Sequence, residues 1–344
     1  MKRVLPAEWA PQSGVMLTWP HFHSDWGPWL DQVEPVFAQI ARAISQRELV
    51  LVVCLDSTHQ QHVINVLTHA GVTLDRVRLH NIASNDTWAR DHGPVTVMED
   101  GQPLMLDFTF NGWGGKFDAT LDNQITRQLH SAGAFGSIAL RTIDLVLEGG
   151  SIESDGAGTL LTTAQCLLTP TRNPQYNRDD IEDCLRSVLG FEHFLWLEHG
   201  YLAGDDTDSH IDTLARLCST DTIAYVACDD PTDEHYAELK AMEAELEAFR
   251  TRDGKPYNLV PLPWPKPRFD ADGRRLPATY ANFLIINGAV LLPTYDDPAD
   301  LEAAARLAQC FPDREIIRIP CLPLILQYGS LHCVTMQLPA GVLF

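Results

Sequence analysis

The chain has 344 residues, 45% hydrophobic and 21% charged, with a formal net charge of -21. That length allows one large domain or two ordinary ones around a sizeable core, and no apolar run approaches the ~20 residues of a membrane-spanning helix. An acidic balance without a basic stripe argues against a nucleic-acid partner. It suits a soluble surface and, by steering, cationic ligands. The eight cysteines are dispersed and none forms a CxxC pair, so neither a disulfide framework nor a zinc ribbon is expected. Residues 1–14 carry two cations but no apolar h-region or small-residue cleavage site; no signal peptide is read, and a reducing cytoplasm is the expected location.

In chain order the pattern is a recurrent beat of hairpin, helix and strand. Residues 15–19 read as a strand, 32–45 as a helix and 49–55 as a strand. Residues 95–98 and 104–108 flank a Glu99-Asp100-Gly101 turn, followed by a helix at 123–130 and a strand at 138–142. Residues 151–154 and 159–163 flank Asp155-Gly156; the helical spacing from Arg178 stops at Gly190 and leads into a strand at 191–197. A third hairpin joins 214–218 to 222–227, with an amphipathic helix over 232–252 and a strand at 259–262. The fourth, 283–286 and 290–293, turns on Asn287-Gly288, the strongest short hairpin signal, before a helix at 298–309 and a strand at 315–319. A fifth hairpin is expected between 334–338 and 15–19, which joins the chain's two ends.

A mixed unit repeated about five times predicts a radial, closed α/β arrangement, a pseudo-fivefold propeller with its site on the central axis. A doubly wound sheet is the alternative, but frequent hairpins argue against an all-parallel core. One catalytic domain over residues 1–344 is expected, since no low-complexity or Ser/Gly linker divides the chain.

Polar groups collect at one phase of this beat, just before or at the first strand of each hairpin: Asp91 in Trp88-Ala89-Arg90-Asp91-His92, Glu148 before Gly149-Gly150, His210 and Asp212 in the Asp-rich 205–212 loop, Asn282, and Cys333 after His332. Equivalent positions of a radial fold converge. The expected site is a thiol, an imidazole and several carboxylates, with glycines that let backbone approach closely. Asp212, two residues after His210, is expected on the same face of an extended strand. Each residue also has an ordinary structural explanation: a core thiol, a turn aspartate, a partner for an imidazole. Their shared phase is what favours a site.

Metal binding by His210, Asp212, Glu148 and Asp91 is a competing reading, yet there is no HExxH, and a thiolate with one histidine and three carboxylates is an unusual single-metal shell. A Cys-His-Asn protease set is another, but three carboxylates beside a developing oxyanion oppose that chemistry. Carboxylates make sense if the substrate is a cation.

The stretches NDTWARDHGP (85–94), NGWGGKFD (111–118), LEGGSIESDGAGTLLTT (147–163), GDDTDSHIDTLARL (204–217), YANFLIINGAVLLPTY (280–295) and GSLHCVTMQLPAG (329–341) resemble the agmatine deiminase and bacterial-type peptidylarginine deiminase family, within the guanidine-modifying superfamily of pseudo-fivefold (pentein-type) α/β propellers. They run in the family's order along essentially the whole chain. The resemblance implies hydrolysis of agmatine to N-carbamoylputrescine and ammonia, with no metal or organic cofactor. It implies Cys333 as nucleophile and His210 as acid and base. Asp91 and Asp212 would bind the guanidinium, Glu148 would bind it or His210, and Asn282 would position thiol or substrate. Trp88 and Trp113 would line the substrate's tail.

The partner expected is a small guanidinium cation, with no nucleic acid and no membrane. Oligomeric state is not legible, a homodimer being the prior for such enzymes. Citrulline-forming relatives act on arginine, and a carboxylate-binding Arg90, Arg172 or Arg178 would signal that substrate. A guanidinium-binding protein without turnover is the remaining alternative. The sequence departs from the family at Gln327-Tyr328-Gly329-Ser330, where agmatine deiminases are more glycine-rich, which bears on the shape of the loop before the nucleophile.

Overall fold

The computed structural model describes residues 2–344. Its architecture is mixed α/β, built on six separate sheets, five of which follow one plan. In each of the five an antiparallel hairpin is extended by a parallel strand. Because parallel neighbours need a crossover, a helix precedes that added strand. Val95–Glu99 and Gln102–Thr109 are joined by Ala139–Val146 after the helix Ile125–Ser131. Glu153–Ser154 and Thr159–Thr163 are joined by His193–Leu197 after Arg178–Leu189. Ala215–Ser219 and Thr222–Val226 take Asn258–Leu262 after Tyr236–Ala248; Leu284–Ile286 and Ala289–Thr294 take Glu315–Pro320 after Ala299–Cys310.

The fifth sheet joins the chain's ends as expected: Thr335–Pro339 lies antiparallel to Gln12–Thr18, with Leu49–Cys54 parallel beyond it. The helix Ser57–His69 and strand Val77–Asn81 enlarge this sheet, and a small hairpin, Arg268–Phe269 with Arg275–Leu276, stands apart. Neither feature was read from the sequence. The third-unit helix is shorter than the spacing predicted, Tyr236–Ala248 in place of 232–252, because turns occupy the residues before it.

Local chemistry explains these limits. Arg178–Leu189 begins with a reciprocal box, in which the Asn177 side chain accepts from the Asp180 amide and Asp180 accepts from the Asn177 amide. It ends at Gly190, φ 82°, a left-handed conformation that costs glycine nothing. Asn287 does more than turn its hairpin. Its side chain accepts from Gln12 N at 3.1 Å and donates to Gln12 O at 2.8 Å, pinning the fourth sheet to the fifth. The largest buried apolar cluster runs through the third, fourth and fifth sheets and reaches Trp88, Trp113 and Cys333. Among the described residues no helix is long and apolar enough to cross a membrane.

Candidate active site

The short helix Ala89–His92 sets Asp91 just ahead of its sheet, and the Arg90 amide donates to the Cys333 carbonyl at 3.1 Å, tying the first and fifth units together. Asp91 is buried. Its Oδ2 accepts from the Trp113 indole and its Oδ1 from the Gly150 amide, each at 3.0 Å. Trp113 is aimed there by the glycines around it. Gly112, Trp113, Gly114 and Gly115 all have φ between 55° and 86°, and the tryptophan accepts a conformation that costs a non-glycine residue about 1–2 kcal/mol.

Gly150 marks the centre of the site. A Cβ there would lie 2.6 Å from His210 Nδ1, 3.0 Å from Asp91 Oδ1 and 3.1 Å from Asp212 Oδ2, so polar groups of the first and third units meet at a second-unit backbone without a side chain. Gly150→Ala is therefore expected to fold normally yet lose about 100-fold or more in kcat/KM, since a displacement near 1 Å in a catalytic group costs that much. Thermal melts run beside steady-state kinetics check it; parent-like activity would remove these three groups from the reaction.

His210 is buried, 3.7 Å from Asp91 Oδ1, and neither ring nitrogen has a hydrogen-bond partner. Burial pushes its pKa down to about 3, leaving a neutral imidazole. Asp212 does not lie on an extended strand beside His210: Ile211–Thr213 is a single 3-10 turn, and Asp212 Oδ2 accepts from His332 Nδ1 at 2.7 Å instead. Its Oδ1 is buried without a partner. Burial opposes the Asp212 carboxylate, but the hydrogen bond and charge of His332 outweigh it and hold that group below the usual carboxylate range. Asp91 goes the other way, raised by burial and by repulsion from Asp212 and Glu148.

Cys333 Sγ accepts from Asn282 Nδ2 at 3.3 Å and stands 3.9 Å from Asp212 Oδ2. Burial, then Asp212, then Asp91 raise its pKa well above that of a free thiol. Asn282 spends its amide on the protein. Besides the thiol it donates to Asp212 O at 3.3 Å, and it accepts from the His332 amide at 2.9 Å. It splints the nucleophile loop and does not line the open pocket.

Glu148 is fully buried with Arg172 Nε at 2.9 and 3.1 Å from its two oxygens. Burial outweighs that guanidinium and raises the Glu148 pKa. The other arms of Arg172 reach Asp208 Oδ2 at 2.6 Å and Thr207 O at 2.8 Å, fixing the 205–212 loop. Glu148, Cys166 and His210 offer ligand atoms within 4.8 Å of one another, as do Glu8, Glu153 and His332. Arg172 already holds the carboxylate of the first group and Arg216 those of the second, so a dication would meet a resident guanidinium in either place.

Above Cys333 opens a narrow pocket walled by Trp88, Trp113 and Phe117. Trp26 and Trp88 donate from opposite sides to Asp86, at 2.9 and 3.0 Å. Gly329 is forced, since a Cβ there would sit 2.1 Å from the Trp88 ring. Tyr328, left-handed at φ 66°, turns the Gln327–Ser330 loop across the mouth. Asp25, Asp86 and Asp206 face the pocket, and among the described residues no Arg or Lys does. Burial pushes Asp86 up to about 6, and burial with Asp205 pushes Asp206 up to about 7. The three arginines considered as carboxylate binders are engaged elsewhere: Arg90 with Gln337 and Glu8, Arg172 with Glu148 and Asp208, Arg178 with Glu198.

The predicted residues thus come together: Trp88, Asp91, Trp113 and Cys333 line the pocket, and Glu148, His210, Asp212 and Asn282 lie buried behind its wall. Glu8, His332 and the acids at the mouth escaped sequence reasoning, and Arg172, considered there only as a carboxylate binder for substrate, proves to hold Glu148. Only His332, adjacent to Cys333, carried a local signal that could have exposed it.

Residues 4–339 match the family described as Porphyromonas-type peptidyl-arginine deiminase. A Stutzerimonas stutzeri agmatine deiminase is 36% identical, with 98% of this chain and 95% of that protein aligned. A Porphyromonas gingivalis structure, provisionally named an arginine deiminase, is 52% identical with a TM-score of 0.94 over 100% of both chains. A cysteine-to-serine variant of C. jejuni agmatine deiminase with substrate bound is 36% identical, TM-score 0.91, covering 99% of this chain and 97% of that one. With this fold, this site and similarity along nearly its whole length, the chain belongs to the Porphyromonas-type peptidyl-arginine deiminase family, which brings it together with the agmatine deiminases.

Proposed function

We propose that this chain is an agmatine deiminase, hydrolysing agmatine to N-carbamoylputrescine and ammonia through a covalent intermediate on Cys333. The observation that carries the reading is the pocket itself: a buried thiol at its floor beside two carboxylates, and at its mouth three further acids, with Lys116, outside the lining, spent on Asp208 and the Asp206 carbonyl. Agmatine is a dication, and both of its ends meet acids there. The proposal includes a propeller-like closure of the five sheets, with residues 1–344 acting as one catalytic domain. The shared phase of Asp91, Glu148, His210, Asn282 and Cys333 ahead of successive hairpins supports it.

Asp91 and Asp212 take the planar guanidinium, whose N–H groups complement carboxylate oxygens. The substrate's charge then offsets the repulsion that keeps Cys333 protonated, and neutral His210 accepts the thiol proton. The thiolate adds to the guanidinium carbon. The resulting tetrahedral adduct breaks a C–N bond, and His210 returns its proton to the departing ammonia. A water then gives a proton to His210 and adds to the S-alkylthiouronium carbon. Cleavage of the C–S bond releases the carbamoyl product and restores the thiolate. Glu148, fixed by Arg172, acts on His210; Trp88 and Trp113 flank the tetramethylene chain.

Citrulline-forming activity on arginine is the second reading, carried by the provisional name of the P. gingivalis relative. An α-carboxylate at this mouth would meet Asp25, Asp86 and Asp206, and the nearby Lys116 is already engaged by Asp208, so like-charge repulsion disfavours it. Ammonia release measured side by side is expected to favour agmatine over arginine and arginine peptides by about 100-fold or more in kcat/KM. Equal use of arginine would overturn the assignment of agmatine.

A further inference from the structure

Behind the nucleophile lies a second, narrow cavity that shares no lining residue with the substrate pocket. Neighbouring residues divide between the two. Asp91 and Cys333 face the substrate side, Arg90 and His332 the rear. In the wall between them His332 bridges two carboxylates, with Nδ1 2.7 Å from Asp212 Oδ2 and Nε2 2.7 Å from Glu8 Oε2. Ionised carboxylates only accept, so both contacts are satisfied when the ring donates from both nitrogens. Around the ring Glu8, Glu153 and Asp212 are buried with two guanidiniums, Arg216 at 3.0 Å and Arg90 at 3.5 Å from Glu8 Oε2.

Glu8 comes from the N-terminal segment, outside every strand and helix, and its Oε1 accepts from the Ile285 amide at 2.7 Å. It is therefore fixed from both sides. On the far side of the ring, Asp212 has one oxygen tied to His332 and the other free.

We propose that Glu8, acting through His332, is a positioning residue that keeps Asp212 ionised and turns its free Oδ1 toward the substrate guanidinium. The inference rests on the reading of Asp212 as a guanidinium ligand. Glu8 touches no substrate. Its carboxylate accepts from His332 Nε2, so the ring presents its Nδ1–H to Asp212 and holds that carboxylate charged and oriented. Besides Glu8 and Asp212, the charged and titratable groups around the ring are Arg90, Arg216 and Glu153 at the rear and His210, Asp91 and Cys333 in front.

The sign of the effect follows. Glu8→Gln removes the charge but not the shape, the ring loses the acceptor that fixes its Nδ1–H on Asp212, and Asp212 loses part of the hydrogen bond and charge that hold its pKa down. Asp212 then protonates at higher pH, and the acidic limb of kcat/KM for agmatine moves upward. Glu8→Gln in the full-length protein is expected to raise KM roughly 10–100-fold at neutral pH, the range seen for outer partners that orient a ligating group, with a smaller fall in kcat and a limb shifted by about one pH unit or more. His332→Asn keeps a donor where Nδ1 stands, leaves Glu8 on Arg216 and Ile285, and cuts the link between them; the same limb shift is expected. Asp212→Asn is the reference. If Asp212→Asn weakens agmatine binding while Glu8→Gln and His332→Asn leave KM and the limb unmoved, or only scale kcat with the folded fraction, the relay is overturned. If Asp212→Asn binds agmatine as the parent does, the underlying guanidinium assignment fails instead.

Discussion

Cys333→Ser is expected to lower agmatine turnover by about 10⁴-fold or more while leaving agmatine affinity within a few-fold of the parent. A serine hydroxyl occupies nearly the same volume and can still meet Asn282. Asp91 and Asp212, proposed to hold the guanidinium, and the splint from Asn282 to His332 are untouched. What is lost is a nucleophile that ionises within reach of the bound cation. The control is Cys166→Ser. Cys166 is also buried and stands within 4.8 Å of Glu148 and His210, but it does not line the substrate pocket. Ammonia release gives turnover and calorimetric titration gives binding. Turnover surviving in Cys333→Ser, or abolished equally in Cys166→Ser with binding intact, would transfer the chemistry to another thiol.

What was legible in the sequence was whatever recurs with the chain's period. The hairpins announce themselves through β-branched runs around Gly and Asp turns. The helix ending at Gly190 carries both of its end signals, and Asp91, Glu148, His210 and Cys333 stand out because they share one phase. The join of residues 334–338 to 15–19 was readable for the same reason, as the missing partner of a repeated unit. Contacts across the chain with no period behind them were not legible. Glu8 meets His332 from the opposite end of the sequence, and no spacing announces that pair. Arg172 lies in a loop whose only signals are turn residues, yet its guanidinium fixes Glu148. The strand expected for His210 and Asp212 failed because alternation was assumed where the backbone takes a single 3-10 turn, which sends Asp212 to His332 rather than beside His210. The acids at the pocket mouth, Asp25, Asp86 and Asp206, belong to three loops and gather only once the sheets are placed.

Cys333 is expected to be a neutral thiol in the empty site and a thiolate once a guanidinium is bound. Burial and the two nearest aspartates raise its pKa well above that of a free thiol, and the neighbouring imidazole, neutral because burial lowers His210 to about 3, offers no compensating charge. The sign is fixed by these directions: at neutral pH, below the raised thiol pKa, the protonated form dominates. A bound guanidinium adds one positive charge beside Asp91 and Asp212 and cancels the repulsion that opposed ionisation. An alkylguanidinium that is not turned over should therefore lower the apparent Cys333 pKa by about 2 units, roughly a 100-fold rise in thiolate population. Thiolate ultraviolet absorbance across a pH titration reads this directly, with Cys333→Ser subtracting the other seven cysteines. Asp212→Asn sharpens the test. Without that carboxylate the thiol of the empty enzyme ionises more readily, the ligand-dependent change shrinks, and agmatine binding weakens at the same time. Equal thiolate fractions with and without ligand in the parent chain would mean that the nucleophile is activated by something other than its substrate. In that case the dense acidity around Cys333 would serve binding alone.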